Sequence, residues 1–172
     1  MSASWALILI VGLVALQRLG ELLLAQRNTV RLLSEGAVES GARHYPLFVA
    51  LHTGWLVAIV VFAPADPSID FRFLAAFAIL QAARIWVIAS LGRFWTTRII
   101  SLPGAPLVRH GPYRFWRHPN YLIVIGEIAI LPLAFGEAGV GVVFSILNLF
   151  LMRHRIRVEE AALGDRAVGR TS

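Results

Sequence analysis

Two short polar clusters in this sequence hold most of the side chains that could do chemistry. One occupies residues 110–121 and combines histidines, arginines and tyrosines with an asparagine. The other occupies residues 153–163 and adds arginines, a histidine and two adjacent glutamates. A guanidinium binds an anion in a planar fork, a carboxylate can hold an ammonium group, and an aromatic ring accepts a flat base or a cation. Side chains of these types could bind a zwitterionic amino-acid moiety that carries an adenine or a sulfonium.

Each cluster also has a simpler interpretation. The first could be the aromatic and basic belt of a membrane interface. In the second, Arg155 and Glu159 lie one helical turn apart, as in an ordinary surface pair beside a stop-transfer patch. Pro119 suits the first turn of a helix, whose free N–H groups favour a carboxylate or another anion. Composition alone therefore leaves both interpretations of each cluster open.

The elements that must position both clusters are long apolar blocks. The chain is 58% hydrophobic and 15% charged, whereas a soluble domain is about 45–50% apolar and about 25% charged. Blocks of this kind predict an all-α integral membrane protein with about five transmembrane helices, in a single membrane-embedded domain that spans residues 1–172. The predicted spans are residues 5–25, 45–63, 71–91, 121–135 and 138–152.

The last two blocks are shorter than the usual span of about 20 residues. Gly136 and Glu137 between them are typical of a tight turn, so the blocks predict a C-terminal helical hairpin. The hairpin could cross the bilayer in a tilted orientation or re-enter on the same side. In either case it returns both polar clusters to one surface, where residues 91–172 would form a cytoplasmic cofactor pocket and the catalytic part of the protein.

The arginines indicate which side that is. Thirteen of the sixteen fall in three alternate segments, 27–44, 92–120 and 153–172, and the loops on the other side hold only Arg72. Because cytoplasmic loops carry an excess of basic residues, the N-terminus is predicted outside and the C-terminus in the cytoplasm. The net charge of +6 is then a result of topology, and nucleic acid is not an expected partner.

Charged residues inside the spans are the remaining candidates, because a charge at bilayer depth is expensive. Arg18 and Glu21 lie three residues apart and can pair on one helix face. Arg84 and Glu127 have no local partner, so they could pair across helices or face a substrate cavity. The absence of cysteine excludes disulfides, thiol nucleophiles and thiolate metal sites, and no metal ion is predicted.

A fairly specific motif, Arg-His-Pro-Asn-Tyr, occupies residues 117–121. It follows Gly111-Pro-Tyr113 and precedes Arg155 and the pair Glu159-Glu160. Over residues 92–165 this combination resembles the isoprenylcysteine carboxyl methyltransferase family. The N-terminal part, which includes Arg18-Leu-Gly-Glu21 and His44-Tyr45-Pro46, resembles a bacterial branch with alkylpyrone and alkylresorcinol O-methyltransferases.

The resemblance implies a membrane enzyme that uses S-adenosyl-L-methionine to methylate a lipophilic substrate. It implies that Arg155 holds the substrate and is catalytic, and Glu127 is a candidate for the same two roles. Arg84, as a charge inside a span, is a further substrate-binding candidate. The expected cofactor contacts are Arg98, Leu107, Val108, Tyr113, His118, Pro119, Asn120, Tyr121 and Glu159.

The chain departs from the family pattern at several positions. Arg98 and Ala105 stand where eukaryotic members carry a glutamine and a histidine, and Ile123 replaces a usual glycine. Membrane sterol reductases that use NADPH share the motif at 117–121, but usually follow it with Gly-Glu where this chain has Ile123 and Val124. A reductase of that kind and a non-enzymatic small membrane protein are therefore the alternative functions.

The expected substrates differ in the chemistry that they require. The carboxylate of a prenylcysteine-like compound or the enol of an alkylpyrone is ionised near neutral pH, so Arg155 needs only to orient it. The phenol of an alkylresorcinol needs a base, for which His118 and Glu127 are the candidates. The expected setting is a bacterial inner membrane with lipids around the protein and a type III polyketide synthase as pathway partner.

Overall fold

The computed structural model describes residues 2–42 and 45–168, with side chains for residues 5–42 and 45–159. Its long elements are the helices α1 (Ser2–Ser34), α2 (Tyr45–Val61), α3 (Phe71–Leu91), α4 (Pro119–Leu133) and α5 (Ala138–Val168). Three of them, α1, α3 and α5, are long and apolar enough to cross a bilayer, and α2 and α4 are shorter apolar helices. The prediction of an all-α membrane protein is confirmed.

Local sequence explains where these helices begin and end. Asp70 caps α3, because its side chain accepts a hydrogen bond from the Arg72 backbone N–H at 2.9 Å. Gly92 ends α3 with a positive φ of 52°, a conformation that glycine adopts without steric cost. Pro119 occupies the first turn of α4 as predicted, where its missing N–H costs nothing.

Two helices run beyond their predicted spans. Helix α1 was expected to end near residue 25 and continues to Ser34, because one side of its last turns is buried, with Thr29 and Leu32 shielded from solvent. Helix α5 continues past residue 152 and carries the second polar cluster on its last turns. Several residues of the predicted basic segments and motif lie outside the described side chains: Arg43, His44, Glu160, Arg166 and Arg170.

Helix α4 packs between α3 and α5 at close range. A Cβ on Gly126 would come within 2.9 Å of Leu80 of α3, and one on Gly141 would come within 3.1 Å of the Ala129 carbonyl oxygen. Small residues of this kind let helices approach in lipid, where packing replaces the hydrophobic force between helices. Helix α2 joins the bundle through Trp55, whose indole N–H donates to the Ile128 carbonyl oxygen at 3.2 Å.

A two-stranded antiparallel ribbon, which the sequence did not predict, ties together one end of the bundle. Strand β1 (Val38–Ser40) pairs with β2 (Ile99–Ser101), so the segment after α1 is joined to the segment after α3. Both strands also contact α5. The three arginine-rich segments therefore meet at one end of the bundle, as the predicted topology requires.

Candidate functional site

A cavity of about 860 Å³ opens at the end of the bundle where the arginine-rich segments meet. Its wall is built from the loop between α3 and α4, the last turns of α1 and α3, the first turn of α4 and the part of α5 beyond the membrane block. Gly111 holds this loop against α3, because its φ of 59° and its contact with Ser90 leave no room for a Cβ. The volume lies within the range of about 300–1,000 Å³ that is typical of small-molecule sites.

The polar centre of the cavity is the hydroxyl of Tyr121, at the start of α4. It donates a short hydrogen bond to Glu159 Oε2 and accepts one from Arg155 Nε at 3.1 Å. His118 stacks on the Tyr121 ring at 5.3 Å between centroids, and its Nδ1 lies 4.0 Å from Glu159 Oε1. The α4–α5 hairpin has thus brought the two polar clusters together, as the sequence predicted.

Most of the predicted cofactor residues line this cavity. Pro119 is the exception within the described residues, because it is buried in the first turn of α4 and forms no part of the wall. Arg155, the predicted substrate residue, is also in the wall. The predicted cofactor residues that line the cavity are Arg98, Leu107, Val108, Tyr113, His118, Asn120, Tyr121 and Glu159.

Tyr113 presents a neutral phenol to the cavity. Burial, together with the negative charge of Glu159, raises the pKa of Tyr113 well above its ordinary value. A phenol with a raised pKa does not act as a base near neutral pH. Tyr113 therefore offers the cavity an aromatic face and a neutral hydroxyl.

Three buried polar atoms on the wall lack a hydrogen-bond partner among residues 5–42 and 45–159. They are Trp95 Nε1, Ser101 Oγ and Asn120 Oδ1. Leaving a buried polar group unpaired costs about 1–3 kcal/mol, so native structures rarely contain several such atoms on one surface. Arg18, Glu137, Ser145 and Asn148 also have buried atoms without a described partner, but they lie outside the wall. The three wall atoms are therefore the candidates for hydrogen bonds to a ligand.

Arg98 and Arg155 stand at the boundary between this cavity and a smaller one of about 20 Å³. Arg98 pairs with Glu39 of β1 at 3.2 Å and lies 4.9 Å from the centre of the Tyr45 ring. The guanidinium of Arg155 lies 5.2 Å from the centre of the Phe48 ring. The smaller cavity is thus bordered by the first turns of α2 and by α5, next to the predicted substrate residue.

The intramembrane charges form a separate cluster, which we call the ion-pair ring (Arg18, Glu21, Arg84 and Glu127). Arg18 binds Glu21 at 3.0 Å and Glu127 at 2.9 Å, and Arg84 binds the same two carboxylates at 2.7 and 3.1 Å. Each charge therefore contacts two charges of opposite sign, and the four charges sum to zero. The pair Arg18–Glu21 forms as predicted, and of the two alternatives left open for Arg84 and Glu127 the structure shows pairing across helices.

Two glutamines extend the ion-pair ring. Gln17 donates to Glu21 at 2.9 Å and to Gln81 at 2.8 Å, and Gln81 donates to Glu127 at 2.7 Å. Glu127 is only 2% exposed, and within the described residues neither it nor Arg84 lines the cavity. The structure does not bring these two residues to the site, and their roles at the substrate stay predictions.

Some wall residues were missed by the sequence analysis. Trp95 and Ser101 sit in the segment 92–120, which was interpreted only through its motif and its arginines. Asn28 lies outside the wall and was given no role from the sequence, yet its side chain donates to the carbonyl oxygens of Gly92 and Trp95 at 3.1 and 2.9 Å. A tryptophan directly after a span is normally an interfacial anchor, so no signal in the sequence separated Trp95 from that role.

The sequence comparisons agree with this geometry. The family model described as the isoprenylcysteine carboxyl methyltransferase family matches residues 73–165, which is more than half of the chain and includes all of the cavity wall except Leu32. This chain belongs to that family. The isoprenylcysteine carboxyl methyltransferase family consists of membrane methyltransferases, which in general use S-adenosylmethionine.

Two relatives extend the similarity to the N-terminal part. A Bacillus subtilis protein named uncharacterized protein YpbQ is 36% identical over 164 residues, which cover 93% of this chain and 98% of that protein. An uncharacterized protein of Haemophilus influenzae is 27% identical over 143 residues, 80% of this chain and 83% of that protein. No solved structure matches. The family resemblance is confirmed, and the alkylpyrone branch stays a prediction because the name of neither relative states an activity.

Proposed function

We propose that this protein is an integral membrane O-methyltransferase that moves the methyl group of S-adenosylmethionine to an oxygen of a lipophilic carboxylic acid or enol. The observation that carries the proposal is the convergence of Arg155 and Glu159 on the Tyr121 hydroxyl, in the wall of a large cavity at one end of the bundle. Membership of a methyltransferase family supports the same activity.

The residues of the wall suit the proposed cofactor. S-adenosylmethionine supplies an electrophilic methyl group on a sulfonium, and it also carries an ammonium, a carboxylate and an adenine. Glu159 is the wall residue that can hold an ammonium, and the free N–H groups at the start of α4 can hold a carboxylate. Tyr113 provides an aromatic face for a base or a sulfonium. The unpartnered atoms Ser101 Oγ and Asn120 Oδ1 offer further hydrogen bonds.

Arg155 has the position that a substrate anion requires. It borders both the large cavity and the small one, whose lining includes the first turns of α2. A substrate oxygen held by its guanidinium would face the cofactor, while the tail would leave between α2 and α5. Holding two reactants in line can contribute up to about 7–11 kcal/mol to a reaction. Alignment of an oxygen that is already ionised then needs no strong base.

The geometry also bears on which oxygen is methylated. A phenol would need a base within hydrogen-bond reach. His118 lines the cavity, whereas Glu127 is enclosed by the ion-pair ring. Methylation of the phenol of an alkylresorcinol would therefore depend on His118, whereas a carboxylate or an enol needs no base.

A binding assay on detergent-purified protein tests the proposed function. Calorimetry would compare S-adenosylhomocysteine with NADPH, the cofactor of the alternative reductase function. We expect S-adenosylhomocysteine to bind the natural protein and not to be displaced by NADPH. The Glu35→Ala variant, whose substitution lies outside the cavity, is the control and should bind S-adenosylhomocysteine with the same affinity. If NADPH binds and S-adenosylhomocysteine does not, the reductase function replaces the proposed methyltransferase function. If neither ligand binds, the basis for both enzyme functions is removed.

The proposal places the cavity at the cytoplasmic face of a bacterial inner membrane, where S-adenosylmethionine is available. It rests on the arginine distribution and on the meeting of the three basic segments at one end of the bundle. A reporter fused after Ser172 should behave as cytoplasmic, and one inserted near Asp66 as external. Finding both reporters on one side would contradict this topology.

A further inference from the structure

Trp95 is a buried wall residue with no assigned role. It follows the 3₁₀ turn Gly92–Phe94 that ends α3, and it is 2% exposed. Its side chain forms part of the cavity wall, yet no acceptor for its indole N–H lies within residues 5–42 and 45–159. An indole nitrogen can only donate, so this proton is left without an acceptor within the described residues.

The backbone around Trp95 is fixed by α1. The Asn28 side chain donates to the Trp95 carbonyl oxygen at 2.9 Å and to the Gly92 carbonyl oxygen at 3.1 Å. The first of these bonds is fully buried. Two hydrogen bonds from one amide hold both ends of the turn that presents Trp95 to the cavity, so the indole has little freedom to find an acceptor elsewhere.

The indole ring also contacts the ion-pair ring. The Arg84 guanidinium carbon lies 5.8 Å from the centre of the Trp95 ring, which is within the range of a cation–π interaction. Arg84 is itself fixed by Glu21 and Glu127 at 2.7 and 3.1 Å. A positive charge over the face draws electron density from the indole and makes its N–H a stronger donor.

The Trp95 indole N–H is not the only unpaired group in the described part of this wall. Ser101 Oγ and Asn120 Oδ1 are buried in the same wall and also lack partners among the described side chains. A donor and two acceptor-capable groups that converge on one cavity are complementary to a ligand with both kinds of group.

We propose that Trp95 is a ligand-binding residue of the cavity, whose indole N–H donates a hydrogen bond to an acceptor of the bound S-adenosyl compound. The inference rests on the proposed function for the identity of that ligand. The inference adds a residue that is not part of the motif at 117–121 or of the cluster on α5. It also gives the ion-pair ring a link to the site, because Arg84 keeps the donor in place.

The substitution Trp95→Phe removes the donor and keeps an aromatic ring under Arg84. We expect it to weaken S-adenosylhomocysteine binding, measured by calorimetry on the purified full-length protein, by about 5- to 100-fold, the range for one buried hydrogen bond. Trp5→Phe is the matched control, since Trp5 is 69% exposed at the far end of α1. It should bind the ligand as tightly as the natural protein.

A second measurement does not depend on the folding of a variant. The natural protein, labelled with ¹⁵N at its five indole nitrogens, would give one NMR signal for each tryptophan. The Trp95 signal can be assigned directly or by elimination from substitutions of the other four. On addition of S-adenosylhomocysteine, the Trp95 proton should move downfield while the Trp5 signal stays in place.

The outcomes separate the two proposals. If the natural protein does not bind S-adenosylhomocysteine, the proposed function itself fails. If it binds, but Trp95→Phe binds equally well or the Trp95 signal does not move, the proposed function stands and the role of Trp95 is overturned.

Discussion

The ion-pair ring and the cavity wall are built from the same kinds of side chain and differ in how those side chains are satisfied. In the ion-pair ring, each arginine contacts two carboxylates and each carboxylate contacts two arginines. In the wall, Glu159 and Arg155 meet only through the Tyr121 hydroxyl, and several buried polar atoms lack partners among the described residues. Charges that satisfy one another hold helices together, whereas incomplete pairing leaves capacity for a ligand.

This difference qualifies a common inference about membrane proteins. An ionisable residue inside a span is by default a functional candidate, and on that basis Arg84 and Glu127 were predicted at the substrate. Their mutual pairing and their absence from the cavity wall favour a structural role. The cavity wall, by contrast, carries unpartnered buried atoms on Trp95, Ser101 and Asn120, all within the segment 92–120.

The largest expected effect comes from opening the ion-pair ring. Glu127→Ala leaves two guanidinium groups sharing one carboxylate, and removal of one partner from a buried pair costs about 3–5 kcal/mol. We expect a loss of that size in the free energy of unfolding in detergent. The control Glu35→Ala removes an exposed pair with Arg31 and Arg93, which is worth about 1 kcal/mol or less. If Glu127→Ala instead has normal stability but no turnover, Glu127 is a catalytic residue and not a structural one.

A change at Arg155 should act on turnover and leave stability unchanged. Lysine keeps the charge but loses the planar fork that would align the substrate oxygen, and a misplacement of about 1 Å can cost about 100-fold in rate. We expect Arg155→Lys to lower methyl transfer to a long-chain alkylpyrone acid by about that factor, with little change in S-adenosylhomocysteine affinity.

The exposed neighbour Arg153 provides the control for this measurement, and Arg153→Lys should have normal activity. Near-normal activity of Arg155→Lys would mean that Arg155 only anchors α5 at the lipid headgroups. Equal losses of cofactor affinity and turnover would move Arg155 from the substrate to the cofactor part of the site.

Removal of the Glu159 carboxylate should affect ligand binding alone. A hydrogen bond to a charged group is worth about 1.5–3 kcal/mol, so Glu159→Ala should weaken S-adenosylhomocysteine binding by about 10- to 100-fold. Thermal unfolding should be close to that of the natural protein, because Glu159 is partly exposed and belongs to no closed network. Unchanged affinity would show that Glu159 is a surface residue.

The smallest effect concerns a carboxylate that is unpaired but far from the cavity. Glu137, in the turn between α4 and α5, has both side-chain oxygens buried without a partner among residues 5–42 and 45–159. Burial raises its pKa from 4.5 to about 7. Between these two values the folded protein keeps a proton that the unfolded chain has lost, so stability falls as the pH rises through about 7.

Glutamine mimics the protonated form, so Glu137→Gln should remove this loss. We expect the variant to match the natural protein near pH 4.5 and to exceed its stability by about 1 kcal/mol above pH 7, the low end of the cost of an unpaired buried group. Unfolding in detergent at a series of pH values would measure the difference. A difference that does not change with pH would mean that the carboxylate does not titrate in this range.

Much of the helical framework could be predicted because it depends on local sequence. The third span was placed at residues 71–91, where the structure has α3, since an apolar block of about 20 residues has few alternatives to a transmembrane helix. The pair Arg18–Glu21 is three residues apart, so the helix alone brings the two side chains together. The motif at 117–121 and Glu159 were found through family resemblance, and the hairpin length explains why they meet.

Only the tertiary structure decided which polar groups satisfy one another. Arg84 reaches Glu21, 63 residues away in sequence, because α1 and α3 lie side by side. Trp95 became part of the cavity because Asn28 of α1 holds the turn that follows α3. Helix periodicity relates residues three or four positions apart, whereas these contacts depend on the packing and rotation of helices that are distant in sequence. The sequence alone therefore named the charged residues, and the packing of the helices determined which of them pair with one another and which remain available to a ligand.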